Sequence, residues 1–293
     1  MHRSGFVNII GNPNVGKSTL MNVLTGERLS VVTAKAQTTR HRIMGIINGD
    51  DLQIIFSDTP GIIQPKYGMQ KGMMDFVRTS FTDADIIIYV TDVVETPAKN
   101  SAYISKVAGM NIPVFLVINK IDLTTQEKLN QLSEVWAELL PNARQIPISA
   151  KERFNIRTVL DAVITSLPEG PVYFPKDEIS DKTDRFFASE ILRGKIFEYY
   201  RKELPYCSEV TVETYAEEDR IIRIRAVILI ERETQKAILI GKNGAALKKT
   251  ATAARKEMET FFAKKVFLET FVKVRKDWRN DKVYLKSLGY IVQ

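Results

Sequence analysis

The sequence predicts an α/β fold: a first domain with a mostly parallel sheet flanked by helices, followed by a smaller α+β domain. Three observations carry that expectation. A short apolar run, residues 6–10, leads into Gly11-Asn12-Pro13-Asn14-Val15-Gly16-Lys17-Ser18-Thr19, after which Leu20, Val23 and Leu24 recur at helical steps. Two all-apolar runs, residues 86–90 and 114–118, have the character of parallel strands covered on both faces. Past Pro168, Pro171 and Pro175 the pattern changes to a helix, two alternating strands, two helices and a strand. The expected boundaries are a first domain at 1–170, a linker at 171–182, and a second domain with its C-terminal tail at 183–293.

At 293 residues, 44% hydrophobic and 26% charged, the chain has apolar material for two cores and none of the bias of a disordered polymer. Its single cysteine, Cys207, cannot form an internal disulfide, which fits a reducing compartment, and no metal-ligand spacing surrounds it. No apolar run approaches the ~20 residues that span a bilayer, so membrane contact is expected to be peripheral. With the first strand predicted from residue 6, no signal peptide is expected. The net charge of +7 is uneven: residues 1–175 hold 17 Lys and Arg against 16 Asp and Glu, and residues 176–293 hold 25 against 19. The excess lies in the second domain, where a polyanionic partner and a merely solvated basic surface both fit.

The spacing G-x-x-x-x-G-K-[ST] between a strand and a helix makes residues 11–19 a phosphate-binding loop. Backbone N–H groups and the helix N-terminus surround a β-phosphate, Lys17 places a charge at the β/γ oxygens, and the Ser18 hydroxyl has a place on Mg²⁺. Residues 29–42 are polar and aperiodic, hence loop. Segments 43–48 and 52–57 around Asn48-Gly49-Asp50-Asp51 predict a hairpin. The second segment ends in Asp58-Thr59-Pro60-Gly61, where a strand-terminal carboxylate can hold Mg²⁺ opposite Ser18 and the Gly61 N–H can reach a γ-phosphate. Residues 62–82 read as loop then helix, and 102–108 as helix. Strand 114–118 delivers Asn119-Lys120-Ile121-Asp122. The Asp122 carboxylate can accept from N1–H and the 2-amino group of guanine, whereas adenine offers neither donor; such a site discriminates by about 10⁴ or more. Asn119 can tie neighbouring loops together, and the Lys120 stem can lie over the base. A helix at 126–140 and a strand at 144–148 lead to Ser149-Ala150-Lys151, whose Ala150 N–H is expected at guanine O6. A helix at 156–167 closes the domain.

Taken in order, G-N-P-N-V-G-K-S, T-T-R, D-T-P-G, N-K-I-D and S-A-K resemble the motif set of translation-factor-class GTPases, in the Era-like branch, over residues 5–167. The resemblance implies a GTP site built from the residues named above. It also implies Mg²⁺ held by Ser18, Asp58 and one of the pair Thr38-Thr39, with Thr39 the expected ligand. Ras-like enzymes place a water-orienting glutamine after D-x-x-G; this chain has Ile62, which neither donates nor accepts, so slow intrinsic hydrolysis is expected. Some members of the branch use K⁺ held partly by an asparagine of the phosphate loop. The matching residue is Asn14, for which a plain turn role is the alternative. Lys17, Thr39, Gly61 and Asn14 are therefore the catalytic candidates.

In the second domain, residues 183–203 carry Phe186, Phe187, Ile191, Leu192, Ile196 and Tyr199 at helical spacing. Segments 209–215 and 221–230 alternate as strands. A helical piece at 235–240 leads to Gly241-Lys242-Asn243-Gly244, and helix 245–262 and strand 266–274 follow. This order is similar to a type II KH domain. Its G-x-x-G turn lets the backbone of about four single-stranded nucleotides approach main-chain N–H groups, and Lys242, Lys248, Lys249 and Arg255 would surround the phosphates. The tail at 273–290, with Trp278 and Tyr284, is open between RNA contact and packing.

Over the whole chain the resemblance implies a GTP-gated RNA chaperone, and a monomer is expected. It would bind near the 3′ end of 16S rRNA and assist assembly of the 30S subunit, in the cytoplasm and loosely at the inner membrane. The expected mechanism is that γ-phosphate and Mg²⁺ order Thr39 and the Gly61 loop, which changes the posture of the second domain. Two other classes compete: a metabolic P-loop kinase with an acceptor site, and a GTPase whose basic domain binds acidic lipid or protein.

Overall fold

The apolar runs of the first half become the middle of one sheet. The computed structural model describes residues 1–97 and 99–290. Its first half runs β1 (Arg3–Gly11), α1 (Lys17–Thr25), β2 (Ile43–Asn48), β3 (Leu52–Asp58), α2 (Gly68–Thr79), β4 (Ile86–Asp92), α3 (Ser101–Ala108), β5 (Val114–Asn119), α4 (Gln126–Leu139), β6 (Arg144–Pro147) and α5 (Ile156–Ser166). The sheet order is β2-β3-β1-β4-β5-β6, and β2 alone is antiparallel to its neighbour, as the Asn48–Asp51 turn requires. Every residue of β4 is buried, which is why it carries no alternation. The chain crosses to opposite sides of β1 to make β3 and β4. The loop after β1 therefore opens at the carboxyl ends of the strands, at the point where strand order reverses.

By contact the chain divides into two units. The first comprises Met1–Ser30, Thr39–Gln64 and Met73–Asp181; the second comprises Val31–Thr38, Pro65–Gly72 and Lys182–Gln293. Much of the stretch expected as a linker is tied to the first unit. Ile46 N–H donates to the Ile179 carbonyl at 2.9 Å, Met44 N–H to Asp181 Oδ1 at 2.9 Å, and Gln53 Nε2 to the Phe174 carbonyl at 2.8 Å. The edge strand β2 has a row of backbone groups to satisfy, and this stretch satisfies part of it.

The second unit runs α6 (Asp184–Tyr199), α7 (Leu204–Cys207), β7 (Glu209–Glu217), β8 (Ile221–Ile230), α8 (Glu233–Ile240), α9 (Ala245–Phe261), β9 (Lys265–Val274) and α10 (Lys282–Ser287). The helix expected through residue 203 stops at Tyr199, because Lys202 takes a left-handed conformation (φ 54°) and Pro205 cannot continue the ladder. Strand β8 is the middle strand, antiparallel to β7 and parallel to β9. Ala188, Leu192 and Ile196 of α6 and Ala254 and Met258 of α9 share a core with Ile224 and Ile228.

The two stretches from the first half are held within this unit. Arg193, fully buried on α6, donates from Nε to Glu190 at 2.7 Å and from one terminal nitrogen to the Thr38 carbonyl at 2.6 Å. The Lys35 ammonium donates to the Phe197 and Tyr200 carbonyls, the last acceptors of α6. Gly68 N–H donates to Asn280 Oδ1 at 2.9 Å. Trp278 is buried and its indole N–H meets the Cys207 carbonyl at 3.2 Å, so this tail aromatic packs. Cys207 is buried as a small packed thiol, outside any disulfide. Among the described residues no helix is long and apolar enough to cross a membrane.

Candidate nucleotide site and nucleic-acid loop

Five loops leave the carboxyl ends of β1, β3, β4, β5 and β6. Gly11 ends β1 and Lys17 begins α1, so the phosphate loop is the whole connection between them. A methyl group on Gly16 would lie 2.2 Å from Asn119 Nδ2, and one on Gly61 2.7 Å from Pro13 Cα. Both glycines are dictated by close approach of the neighbouring loops. The Asn119 carboxamide joins three of these loops: Nδ2 donates to the Val15 carbonyl at 2.8 Å, while Oδ1 accepts from Lys120 N–H at 2.8 Å and Ala150 N–H at 3.0 Å. The Ala150 N–H expected at guanine O6 thus meets Asn119 here, because the carboxamide stands between the two loops. Ser149 Oγ donates to Asp122 Oδ1 at 2.6 Å, so the two base-reading motifs are joined.

At the phosphate end, Lys17 is buried and its ammonium donates to the Asn12 carbonyl at 2.8 Å. Burial lowers its pKa to about 8, against the opposing pull of Asp58 and Glu95. Ser18 Oγ lies 2.6 Å from Asp58 Oδ2 and 2.8 Å from Thr39 Oγ1, which is itself 3.3 Å from Asp58 Oδ2. Burial pushes the Asp58 carboxyl up, while Lys17, Ser18 and Thr39 pull it down. Among the described residues nothing hydrogen-bonds its buried Oδ1. Two hydroxyls and a carboxylate with an unused oxygen are the hard donors that Mg²⁺ takes, so the residues present fit that ion. Among the described residues no cluster of His, Cys, Asp and Glu forms another metal site.

The threonine pair divides its work: the Thr38 hydroxyl meets Thr33 Oγ1 and the Lys35 carbonyl, and Thr39 alone faces Ser18. Thr59 Oγ1 donates to the Ile9 carbonyl at 2.8 Å, Pro60 is buried beside it, and Ile62 is buried among Ile10, Met74 and Val77. The residue after Asp58-Thr59-Pro60-Gly61 is thus a core isoleucine. Asn14 is exposed at φ 66°, with its carbonyl 2.7 Å from Lys120 Nζ.

Two residues that the sequence reading passed over belong to this site. Asp92, at the end of β4, pairs with Lys120 Nζ at 2.5 Å, and Glu95 takes a hydrogen bond from Asn12 Nδ2 at 2.7 Å. The available signal was weak: two carboxylates directly after an all-apolar strand whose carboxyl end faces the crevice.

In the second unit Gly241 and Gly244 take φ 72° and 76° at the turn between α8 and α9, and Asn243 between them takes 52°. A side chain on Gly241 would strike Ala246. Lys242, Asn243, Lys248 and Lys249 lie around this turn with their side chains at least partly exposed, and Lys249 Nζ lies 5.1 Å over the exposed Tyr199 ring. Arg255 is instead committed to Glu259 on its own helix, at 2.9 Å.

Comparison with known proteins agrees with both halves. Residues 6–120 match the family model described as 50S ribosome-binding GTPase, and residues 203–279 that of the KH domain. GTPase Era of Syntrophus aciditrophicus is 45% identical over 293 residues, 99% of this chain and 96% of the relative. That of Clostridium kluyveri is 44% identical over 292 residues, 99% and 100%. The chain belongs to the Era family of GTPases. Two solved structures extend the likeness over the full length of this Era-family chain. One is Era in complex with MgGDPNP and nucleotides 1506–1542 of 16S ribosomal RNA, with a TM-score of 0.94, 36% identity and 100% of both chains covered. The other is a single-substitution variant of Aquifex aeolicus Era bound to GDP and AlF₄⁻, also at 0.94 and 36%, covering 99% of this chain and 100% of that one.

Proposed function

We infer that this chain binds GTP with Mg²⁺, hydrolyses it, and in its GTP form binds the 3′-terminal region of 16S rRNA during assembly of the small ribosomal subunit. The observation that carries this reading is that Lys17, Asp58 and Asn119 stand on loops that interlock at one end of one sheet, while accessible lysines and a G-x-x-G turn stand on a separate basic unit. Residues 11–19 wrap the phosphates, with Lys17 leaving the Asn12 carbonyl for the β/γ oxygens. Asp122 and Asn119 select guanine with Ser149, Ala150 and Lys151 behind them, and Lys120 lies along the base. Ser18, Thr39 and Asp58 would hold Mg²⁺, which draws charge from the β and γ oxygens when bound. Thr59, Pro60 and Gly61 bring a backbone N–H to the γ-phosphate. With Ile62 in the core in place of a glutamine, turnover is expected to be slow, and Asn14 would hold a K⁺ ion that would supply charge in place of an arginine.

The same nucleotide governs the second unit. Thr39 is covalently next to Thr38, whose carbonyl is held by Arg193, so ordering of Thr39 by the γ-phosphate is passed to the helix that bears Arg193. Gly241, Lys242, Asn243, Gly244, Lys248 and Lys249 receive the RNA backbone, with Arg255 at the margin. The protein acts as a monomer in the cytoplasm, and the basic charge of its second half also suits peripheral contact with an anionic inner-membrane surface. Chemical footprinting of small-subunit RNA tests the reading. Protection at the 3′ end with a non-hydrolysable GTP analogue supports it; the same sites left reactive with every nucleotide contradict it.

A further inference from the structure

The first half of the phosphate loop is held by a carboxylate outside all five motifs. Glu95 stands three residues beyond β4, half-buried, with both oxygens used: Oε1 accepts from Thr91 Oγ1 at 2.6 Å and Oε2 from Asn12 Nδ2 at 2.7 Å. The Asn12 side chain is gripped a second time, its Oδ1 accepting from Asn100 Nδ2. Asn12 itself is 2% exposed, and its carbonyl is the acceptor of the Lys17 ammonium. We propose that Glu95 is a positioning residue for GTP turnover: it fixes the Asn12 side chain, and through that peptide it sets where the Lys17 ammonium rests before meeting the γ-phosphate.

A local structural duty for Glu95 is already met by its neighbour. The turn after β4 is tied by Asp92 Oδ1, which accepts from the N–H groups of Val94 and Glu95, both at 2.9 Å. The turn thus has a tie besides the Glu95 side chain, which spends one oxygen on Thr91 and reaches with the other to another strand's loop. A carboxylate drawn out of water costs free energy unless it is hydrogen-bonded, and burial indeed pushes this carboxyl up, with Thr91 and Asn12 opposing. A half-buried acid retained at such a place is expected where its hydrogen bonds serve a site. Asp92 does the corresponding work on the base side, holding Lys120 against the Asn14 carbonyl. One short segment after β4 thus steadies both halves of the phosphate loop, Asn12 by Glu95 and Asn14 by way of Lys120.

The proposal rests on the GTP reading of this site, and the experiment separates the two. Affinities for GDP and a non-hydrolysable GTP analogue, with KM and kcat for GTP, are measured on the full-length chain and its Lys17→Ala, Glu95→Ala, Glu95→Gln, Asn12→Asp and Asn12→Asp/Glu95→Gln variants. Loss of a hydrogen bond to a charged group predicts that Glu95→Ala weakens the GTP analogue and raises KM by about ten-fold, with GDP affinity changed by less than about three-fold. Glu95→Gln keeps an acceptor for Asn12 and recovers most of the loss. Asn12→Asp sets carboxylate against carboxylate and reproduces it, and the double variant restores the bond with donor and acceptor exchanged. Glu95→Ala with wild-type KM, or with GDP and GTP weakened equally and no rescue by the exchange, overturns the positioning role. Should Lys17→Ala itself leave GTP affinity intact, the nucleotide reading fails and takes the proposal with it.

Discussion

The phosphate loop and the G-x-x-G turn both rely on glycines to bring backbone to a phosphate, yet they are built in opposite ways. Around the first, Lys17 and Asn119 are buried, the loops are cross-tied by side chains, and Asp58 keeps one buried oxygen that no described residue hydrogen-bonds. Around the second, Lys242, Lys248 and Lys249 keep access to solvent, and backbone bonds hold the turn: Gly241 N–H to the Ala237 carbonyl at 2.9 Å and Gly244 N–H to the Gly241 carbonyl at 3.2 Å. A small ligand to be told apart from its near relatives demands convergent, desolvated groups, because only an unmatched buried group penalises the wrong one. A polymer read by its backbone demands access and charge, and those need little cross-bracing.

That contrast can be broken first where the effect is largest. Asp122 is exposed beside Ser149 and is desolvated only beneath a bound base; replacing it by alanine removes the acceptor for the guanine donors, and the preference for GTP over ATP in competitive binding is expected to fall by about 10⁴, with RNA binding at saturating nucleotide intact. A retained preference would mean that the base is read elsewhere. At the open turn, the paired change Lys242→Ala and Lys248→Ala is expected to flatten the log–log salt dependence of RNA binding by about 1.4, for two lost single-strand phosphate contacts, with GTP hydrolysis unaltered. An unchanged slope would assign these lysines to some other anion.

The smallest effect concerns the bracing behind that turn. Glu259 accepts from Val266 N–H at 3.2 Å and pairs with Arg255, and the backbone bond chiefly holds its carboxyl below the usual glutamate value. A depressed carboxylate stabilises the folded state above its unfolded pKa, and that contribution is lost as pH falls through the lower, folded value. The gap in melting temperature between wild type and Glu259→Gln is therefore expected near neutral pH and to close in acid. A gap that persists unchanged in acid would assign it to packing.

The two sites were also unequally legible. Strand, loop and helix at residues 3–25 could be read because glycine spacing, Lys17 and the apolar run all constrain one another locally, and β4 and β5 because burial on both faces leaves an unbroken apolar string. In the sequence, resemblance alone favours Thr39 over Thr38, since adjacent threonines on a loop carry no period to say which faces Ser18. Asp92 and Glu95 escaped because a hydrogen bond to Asn12 or Lys120 depends on which strands lie side by side, not on spacing in T-D-V-V-E. Arg193 reads as one more polar residue of an amphipathic helix; its burial depends on Glu190 and on the Thr38 carbonyl, 155 residues away in sequence. Trp278 illustrates the converse, an aromatic among basic residues that reads equally as an RNA contact or a packing group and proves to be packed.

In the proposed mechanism the terminal phosphate held by the closed site governs the open one. The most direct measurement is the affinity of the full-length chain for a 3′-terminal 16S RNA fragment at fixed salt, with Mg²⁺ and either GDP or a non-hydrolysable GTP analogue. Binding at least about ten-fold tighter with the analogue is expected, the size of an ordinary coupling between two sites. Equal affinity in the two states would contradict it.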